Sequence, residues 1–221
     1  GTDSLGRDVY SRIIHGSRIA MIVSFASIAV GTTIGLVVGV ASGYFGGWVD
    51  GALQRIIEIM LAFPALILAL ALMAGFGAGR DKVVIALTVV YAPRTARVIR
   101  GSTLQVKGLT YVDAAQAIGA SPVRIMFRHL LPNVMASYLV VASTLLGAAI
   151  LTEASLSFLG LGVPPPAPSW GQMLSGTAQQ IALTAPWTAV FPGLAITILV
   201  FGFNVFGDAL RDVWDPKLRG R

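Results

Sequence analysis

Residues 19–43 read IAMIVSFASIAVGTTIGLVVGVASG, and no charged side chain occurs between Arg18 and Asp50. A helix needs about 20 apolar residues to cross the hydrocarbon core of a bilayer, so Ile19 to Gly43 suffices for one crossing. Gly31, Gly35, Gly39 and Gly43 recur every four residues along it. That spacing lays a smooth stripe on one helix face, where another backbone can come close. The stretch thus predicts a membrane-spanning helix with a packing partner.

The rest of the chain extends this reading. Of 221 residues, 55% are hydrophobic and 12% charged, and mean hydropathy is +0.78. Soluble domains carry roughly 25% charged residues, so this composition excludes a free cytosolic enzyme, a disordered chain and a secreted disulfide module. The expected class is an all-α polytopic membrane protein with about five spans and a single domain over residues 1–221. A second span is expected from about Leu53 to Phe76, kinked at Pro64 and ended by Gly75, Gly77 and Gly79. A third runs from Lys82 to Ile99, a fourth from Asn133 to Leu156, and a fifth from Trp187 to Phe206. Pro164, Pro165, Pro166 and Pro168 break the uncharged stretch after Glu153, leaving residues 159–186 as an external or re-entrant loop with Trp170 and Trp187 as interface anchors.

Net charge is +6, but the basic residues punctuate apolar runs instead of forming the water-exposed surface a nucleic acid requires. With no cysteine and two histidines, His15 and His129, neither a thiolate site nor a dedicated metal cage is expected. Arg94, Arg97, Arg100, Lys107, Arg124 and Arg128 fall between residues 94 and 132, whereas residues 159–186 hold no lysine or arginine. The positive-inside rule places residues 107–133 and the C-terminal tail in the cytoplasm. Alternation then puts residues 1–18 outside as a lead-in. The misfit is Arg7, Arg12 and Arg18 on that outer side. An external start implies a further helix upstream, six spans in all.

Residues 107–133 form a connection far longer than a turn, and they read as two short helices. Thr110 and Asp113 suggest a capping box. Ala114, Ala115 and Ala117 offer a small-residue face, Gly119 suits a left-handed helix end, and Ser121-Pro122 suits a new helix start. The second helix is expected to run through Arg124 and Arg128 to Leu131 and stop near Pro132. A helix–glycine turn–helix of this kind fits a docking element; a hairpin lying along the membrane interface is the plainer alternative.

Asp113-Ala114-Ala115, then Gly119, His129, Leu131 and Pro132 resemble the "EAA" loop of bacterial ABC importer permeases, which reads E-A-A, three residues, G, nine residues, I, one residue, L-P. Asp113 stands for the Glu and His129 for the Ile. The opening residues 1–9 (GTDSLGRDV), residues 153–162 (EASLSFLGLG) followed by Pro164 and Trp170-Gly171, and residues 203–212 (FNVFGDALRD) followed by Asp215-Pro216 resemble the dipeptide, oligopeptide and nickel branch, C-type subunit. The resemblance implies a type I importer transmembrane domain and several partners. These are a sister permease subunit, two cytoplasmic ATPases that bind ATP and Mg²⁺, and an extracytoplasmic binding protein. It makes Asp113, Ala114, Ala115, Gly119, Arg124, Arg128, His129, Leu131 and Pro132 the ATPase-coupling loop. The cargo it implies is a peptide, with nickel, glutathione or another small solute left open.

No catalytic site or cofactor is expected in the chain itself. Lys82, Lys107 and Lys217 are the only lysines, and none lies in the Gly-Lys-Ser/Thr sequence that cradles phosphates. Glu153, inside the fourth span, is the candidate for a pathway or gate residue; the alternative is a hydrogen bond to a neighbouring helix or the external loop. Arg94, Arg97 and Arg100 share a helix side and are read as anchors to lipid phosphate or to the ATPase. Arg55 and Glu58 are read as an intrahelical pair. A secondary transporter or channel without ATPase partners is the alternative function, although nearly all charges lie at helix ends where they cannot couple ions. A non-transporting scaffold would leave Glu153 and the proline breaks unexplained.

Overall fold

The computed structural model describes residues 1–176 and 184–214. Its helices are α1 (Val9–Phe45), α2 (Gly47–Leu61), α3 (Ala65–Phe76), α4 (Arg80–Lys107), α5 (Thr110–Ala117), α6 (Pro122–Ile125), a π-helical turn (Met126–Leu130), α7 (Leu131–Phe158), α8 (Trp170–Leu174) and α9 (Trp187–Trp214). Among the described residues the secondary structure is helical, apart from an isolated bridge between Thr2 and Asp8.

The glycine stripe of α1 decides the packing. A Cβ on Gly35 would lie 2.7 Å from the Ala92 carbonyl oxygen, and one on Gly39 would lie 2.7 Å from that of Ala96. Gly31 faces Thr88 and Gly43 faces Thr103 in the same way. Because α1 meets α4 in ascending order on both helices, the two run parallel with their backbones nearly touching. Tyr91 bonds Thr152 at 2.8 Å and Ser102 bonds Ser137 at 3.0 Å, which sets α7 antiparallel to α4. Gly147 against Asn204 and Gly207 against Ser143 set α9 antiparallel to α7. These directions follow the alternation expected from the charges. One apolar core joins α1, α3, α4 and α7 through Val23, Met73, Leu87 and Leu145. A second lies at the basic end, and a third gathers Ala20, Ala154, Trp170 and Ile196.

Three helical stretches among the described residues are long and apolar enough to cross a membrane unaided: Val9–Phe45, Pro122–Phe158 and Trp187–Val213. The second expected span is not one helix. Pro64 has no N–H and drives Phe63 out of helical geometry, so α2 and α3 meet at 89°. With 15 and 12 residues, each is shorter than the ~30 Å hydrocarbon layer at about 1.5 Å per residue. The third expected span is longer at both ends than Lys82–Ile99, and its passage alongside α1 rests on packing, since it carries too many charges to qualify by composition. The lead-in is also shorter than expected. Helix α1 already starts at Val9, where the Asp8 carboxylate caps the Ser11 N–H at 2.8 Å.

Two other expectations change. Trp170 is not an interface anchor. It is 4% exposed, and its indole fits over Gly16 and donates to the Ile13 carbonyl at 2.9 Å. The last helix also runs past the expected end at Phe206, so that Asp208, Arg211 and Asp212 lie within α9. Residues 177–183 of the external loop and the Asp215-Pro216 motif lie outside the described residues.

Replacing Gly39 by Val should cost about 1–3 kcal/mol through overpacking against α4, lowering the thermal midpoint of the purified protein in detergent. A Cβ on Gly101 meets nothing within 4 Å. Gly101→Ala should therefore leave the midpoint unchanged or raise it, stability gaining up to ~1 kcal/mol of helix propensity.

Candidate functional site

The expected pair of short helices joined by a glycine turn is present at the basic end of the bundle. Helix α5 ends as expected at Gly119, whose φ of +80° is a conformation side chains disfavour. There the Gly119 and Ala120 amides donate to the Gln116 and Ala115 carbonyls at 2.9 and 3.0 Å. Ser121 caps α6 through the Arg124 N–H, with Pro122 at the first helical position. The capping box does not form. Leu109 holds the extended N-cap position and Thr110 is already helical, one residue too late for its hydroxyl to serve the free amides.

The chain does not stop at Pro132 either. Helix α6, the π turn and α7 are one continuous helix, Pro122–Phe158. In the π turn the Leu131 N–H reaches back five residues to the Met126 carbonyl. That extra residue loosens the helix where the Pro132 ring and its missing N–H would otherwise break it.

The hairpin has an inner and an outer face. Val112, Ile125 and Leu130 are buried with Val40 of α1, Ile99 of α4 and Val134 of α7, so one apolar cluster joins the hairpin to three long helices. Ala115 belongs to this inner face at 6% exposure, which corrects the expectation that Ala114, Ala115 and Ala117 form a single outward surface. Asp113, Ala114, Gln116 and Ala117 point outward. Beside them Ile118 is 86%, Phe127 67% and Val123 59% exposed. Arg124 and Arg128 rim this apolar patch, and Asp113 sits in the first turn of α5 where a negative charge complements the free amides. His129 is half-buried, with its ring 6.0 Å from that of Tyr111. Asn133 donates to the His129 carbonyl at 2.6 Å and to Tyr111 at 3.2 Å. The imidazole in the position of the expected Ile thus faces Tyr111 of α5 from the π turn. Leu131 packs half-buried against the cluster, and Pro132 is exposed.

Polar contacts brace the same end. Arg100 makes a two-pronged ion pair with Asp50, both bonds at 2.6 Å. Ser42 also donates to Asp50, and Gln54 donates to Ser42 at 3.0 Å. Arg100 is therefore a tie between α2 and α4, whereas Arg94 and Arg97 stay exposed. Lys107 closes α4 onto the Tyr44 carbonyl at 2.7 Å. The Asp50 and Lys107 ties escaped sequence reasoning because their partners lie 50 and 63 residues away with no periodic signal. Arg55 and Glu58 approach to 4.0 Å in their helix as expected, with both side chains mostly exposed, so the pair contributes little.

Glu153 lies far from this hairpin. It is 1% exposed and its Oε1 accepts from Ser157 at 2.8 Å and from Ser169 of the external segment at 3.1 Å. The structure thus places it in a buried contact with the external loop.

A bundle of membrane-crossing helices with an ordered two-helix hairpin at its basic end defines the class as a polytopic membrane protein. The chain matches the family described as binding-protein-dependent transport system inner membrane component over residues 16–220, and it belongs to that family. Over 219 residues it is 46% identical to the glutathione transport system permease protein GsiD of Pectobacterium atrosepticum, covering 99% of this chain and 72% of that protein. It is 44% identical to GsiD of Escherichia coli O6:K15:H31, covering 100% of this chain and 72% of the relative. In fold it is similar to a chain of the inward-facing MetNI methionine ABC transporter, with TM-score 0.74, 22% identity and coverage of 92% and 96%. A chain of an amino acid ABC transporter with histidines superposes at TM-score 0.64 with 16% identity, covering 99% of this chain and all of that one. The protein is an inner-membrane transport permease.

Gly119→Val forces a β-branched residue into the left-handed region at about 1–2 kcal/mol or more. It should unwind the α5–α6 turn and speed amide hydrogen exchange over residues 115–122, while exchange in α1 and α4 stays as in wild type.

Proposed function

We propose that this chain is one of two related permease subunits that together enclose the path of an ATP-driven importer. Residues 107–133 serve as its coupling loop. Two cytoplasmic ATPase subunits bind ATP and Mg²⁺ and carry out hydrolysis, and an extracytoplasmic binding protein delivers the solute. The names of the relatives favour glutathione or a similar short peptide as cargo.

The observation that carries this reading is the two-faced hairpin. Its outer face, with Ala114, Ala117, Ile118, Val123 and Phe127, is an apolar knob shaped to enter a partner's cleft. Its inner face is cemented to α1, α4 and α7 through Val112, Ile125 and Leu130. A push on the knob therefore shifts three long helices at once, because a close-packed interface moves as a unit and does not deform gradually. Closure of the ATPase pair on ATP supplies the differential affinity. Driving an access equilibrium from 1:99 to 99:1 takes about 5.5 kcal/mol, within the reach of nucleotide binding at two sites. The exposed Arg94 and Arg97 lie where anionic lipid headgroups would meet the basic end.

Because the chain has no cysteine, Ala114→Cys offers a single attachment point on the outward face. A photocrosslinker placed there should capture a protein carrying a phosphate-cradling Gly-Lys-Ser/Thr loop, identified by mass spectrometry. Undiminished uptake with no such partner captured would favour a secondary transporter instead.

A further inference from the structure

Glu153 is the sole acidic residue between Asp113 and Asp208, and the coupling loop makes no use of it. A buried carboxyl is costly unless hydrogen-bonded, and this one is bonded to two hydroxyls. The choice of donors is informative. Ser169 stands immediately before α8 in the extended conformation of a helix cap, φ −120° and ψ 139°, yet its side chain makes no capping bond. Its hydroxyl goes to Glu153 at 3.1 Å instead. The surrounding backbone is fitted to this contact. A Cβ on Gly171 would overlap the Ala154 carbonyl, and one on Gly162 would overlap Ser157. The Gly79 amide donates to the Gly162 carbonyl at 3.3 Å, and Trp170 donates to Ile13.

Helix α7 carries this contact near its outer end. It is the same unbroken 37-residue helix that begins in the hairpin at Pro122, about 55 Å long at 1.5 Å per residue. We infer that Glu153 is a positioning residue that fastens the external segment Leu161–Leu174 to the coupling helix, so that the outer cap moves as one body with the hairpin. This deepens the coupling role proposed above and rests on it. The latch works by accepting two directional hydrogen bonds, which a leucine of similar size cannot do and a glutamine can.

The test uses Leu159→Cys, 51% exposed at the end of α7, with Ser175→Cys just beyond α8, both spin-labelled in the full chain within the assembled importer. Pulsed electron resonance should give one narrow distance, the same without nucleotide and with trapped ATP. Glu153→Gln should keep that distance and stay within about twofold of wild-type glutathione uptake per ATP hydrolysed. Glu153→Leu, and the milder Ser169→Ala should Leu fail to fold, should broaden the distance and lower uptake per ATP by about tenfold, the loss expected for one strong hydrogen bond. The inference is overturned if Leu and Ala variants retain the narrow distance, if Gln broadens it as Leu does, or if the distance broadens while uptake per ATP is unchanged. The distances without nucleotide report the latch even where the wild type shows no ATP-driven uptake, so failure of the latch and failure of the coupling role give different results.

Discussion

The near contact of two parallel backbones, α1 and α4, is the constraint from which the rest of the bundle follows. Membrane helices gain little from the hydrophobic effect against one another, so close van der Waals packing over small residues must supply the attraction. Gly35 and Gly39 meet the Ala92 and Ala96 carbonyls too closely for any Cβ. The long charged helix α4, which its composition would not hold in a membrane alone, is carried there against α1. With this pair fixed, α7 crosses antiparallel beside both, and the apolar cluster of Val40, Ile99 and Val134 becomes the floor on which the hairpin sits.

That geometry explains why the hairpin is stiff. A loop of nearly thirty residues would usually wander. Here Val112, Ile125 and Leu130 are each buried to 1% exposure or less, and Asn133 of α7 ties Tyr111 of α5 beside the His129 turn. The Asp50–Arg100 and Lys107–Tyr44 ties hold the ends of α1, α2 and α4 in register beside it. The hairpin is thus joined to the long helices through a close-packed apolar cluster.

Much of this was legible in the sequence, and the parts that were not share a cause. The four-residue glycine period announced a close helix partner, Gly119 and Ser121-Pro122 marked the hairpin's turn, and the basic residues gave the helix directions. These are local or periodic signals. Pro64 and Pro132 look alike in sequence but act oppositely. Pro64 breaks its helix at 89°, whereas a π turn upstream absorbs Pro132. The inward turn of Ala115 and the partnership of Glu153 with Ser169 likewise depend on contacts between distant segments. Neighbouring alanines look equivalent until the helix they belong to has been docked.

ATP-driven movement of this bundle through the hairpin is the proposed mechanism. It is tested most directly by reconstituting the assembled importer in liposomes and measuring uptake of radiolabelled glutathione with ATP supplied only on the ATPase side and with no ion gradient. Uptake should require hydrolysable ATP and collapse when the hairpin is unwound at Gly119. Uptake that follows a proton or sodium gradient and ignores ATP would contradict it.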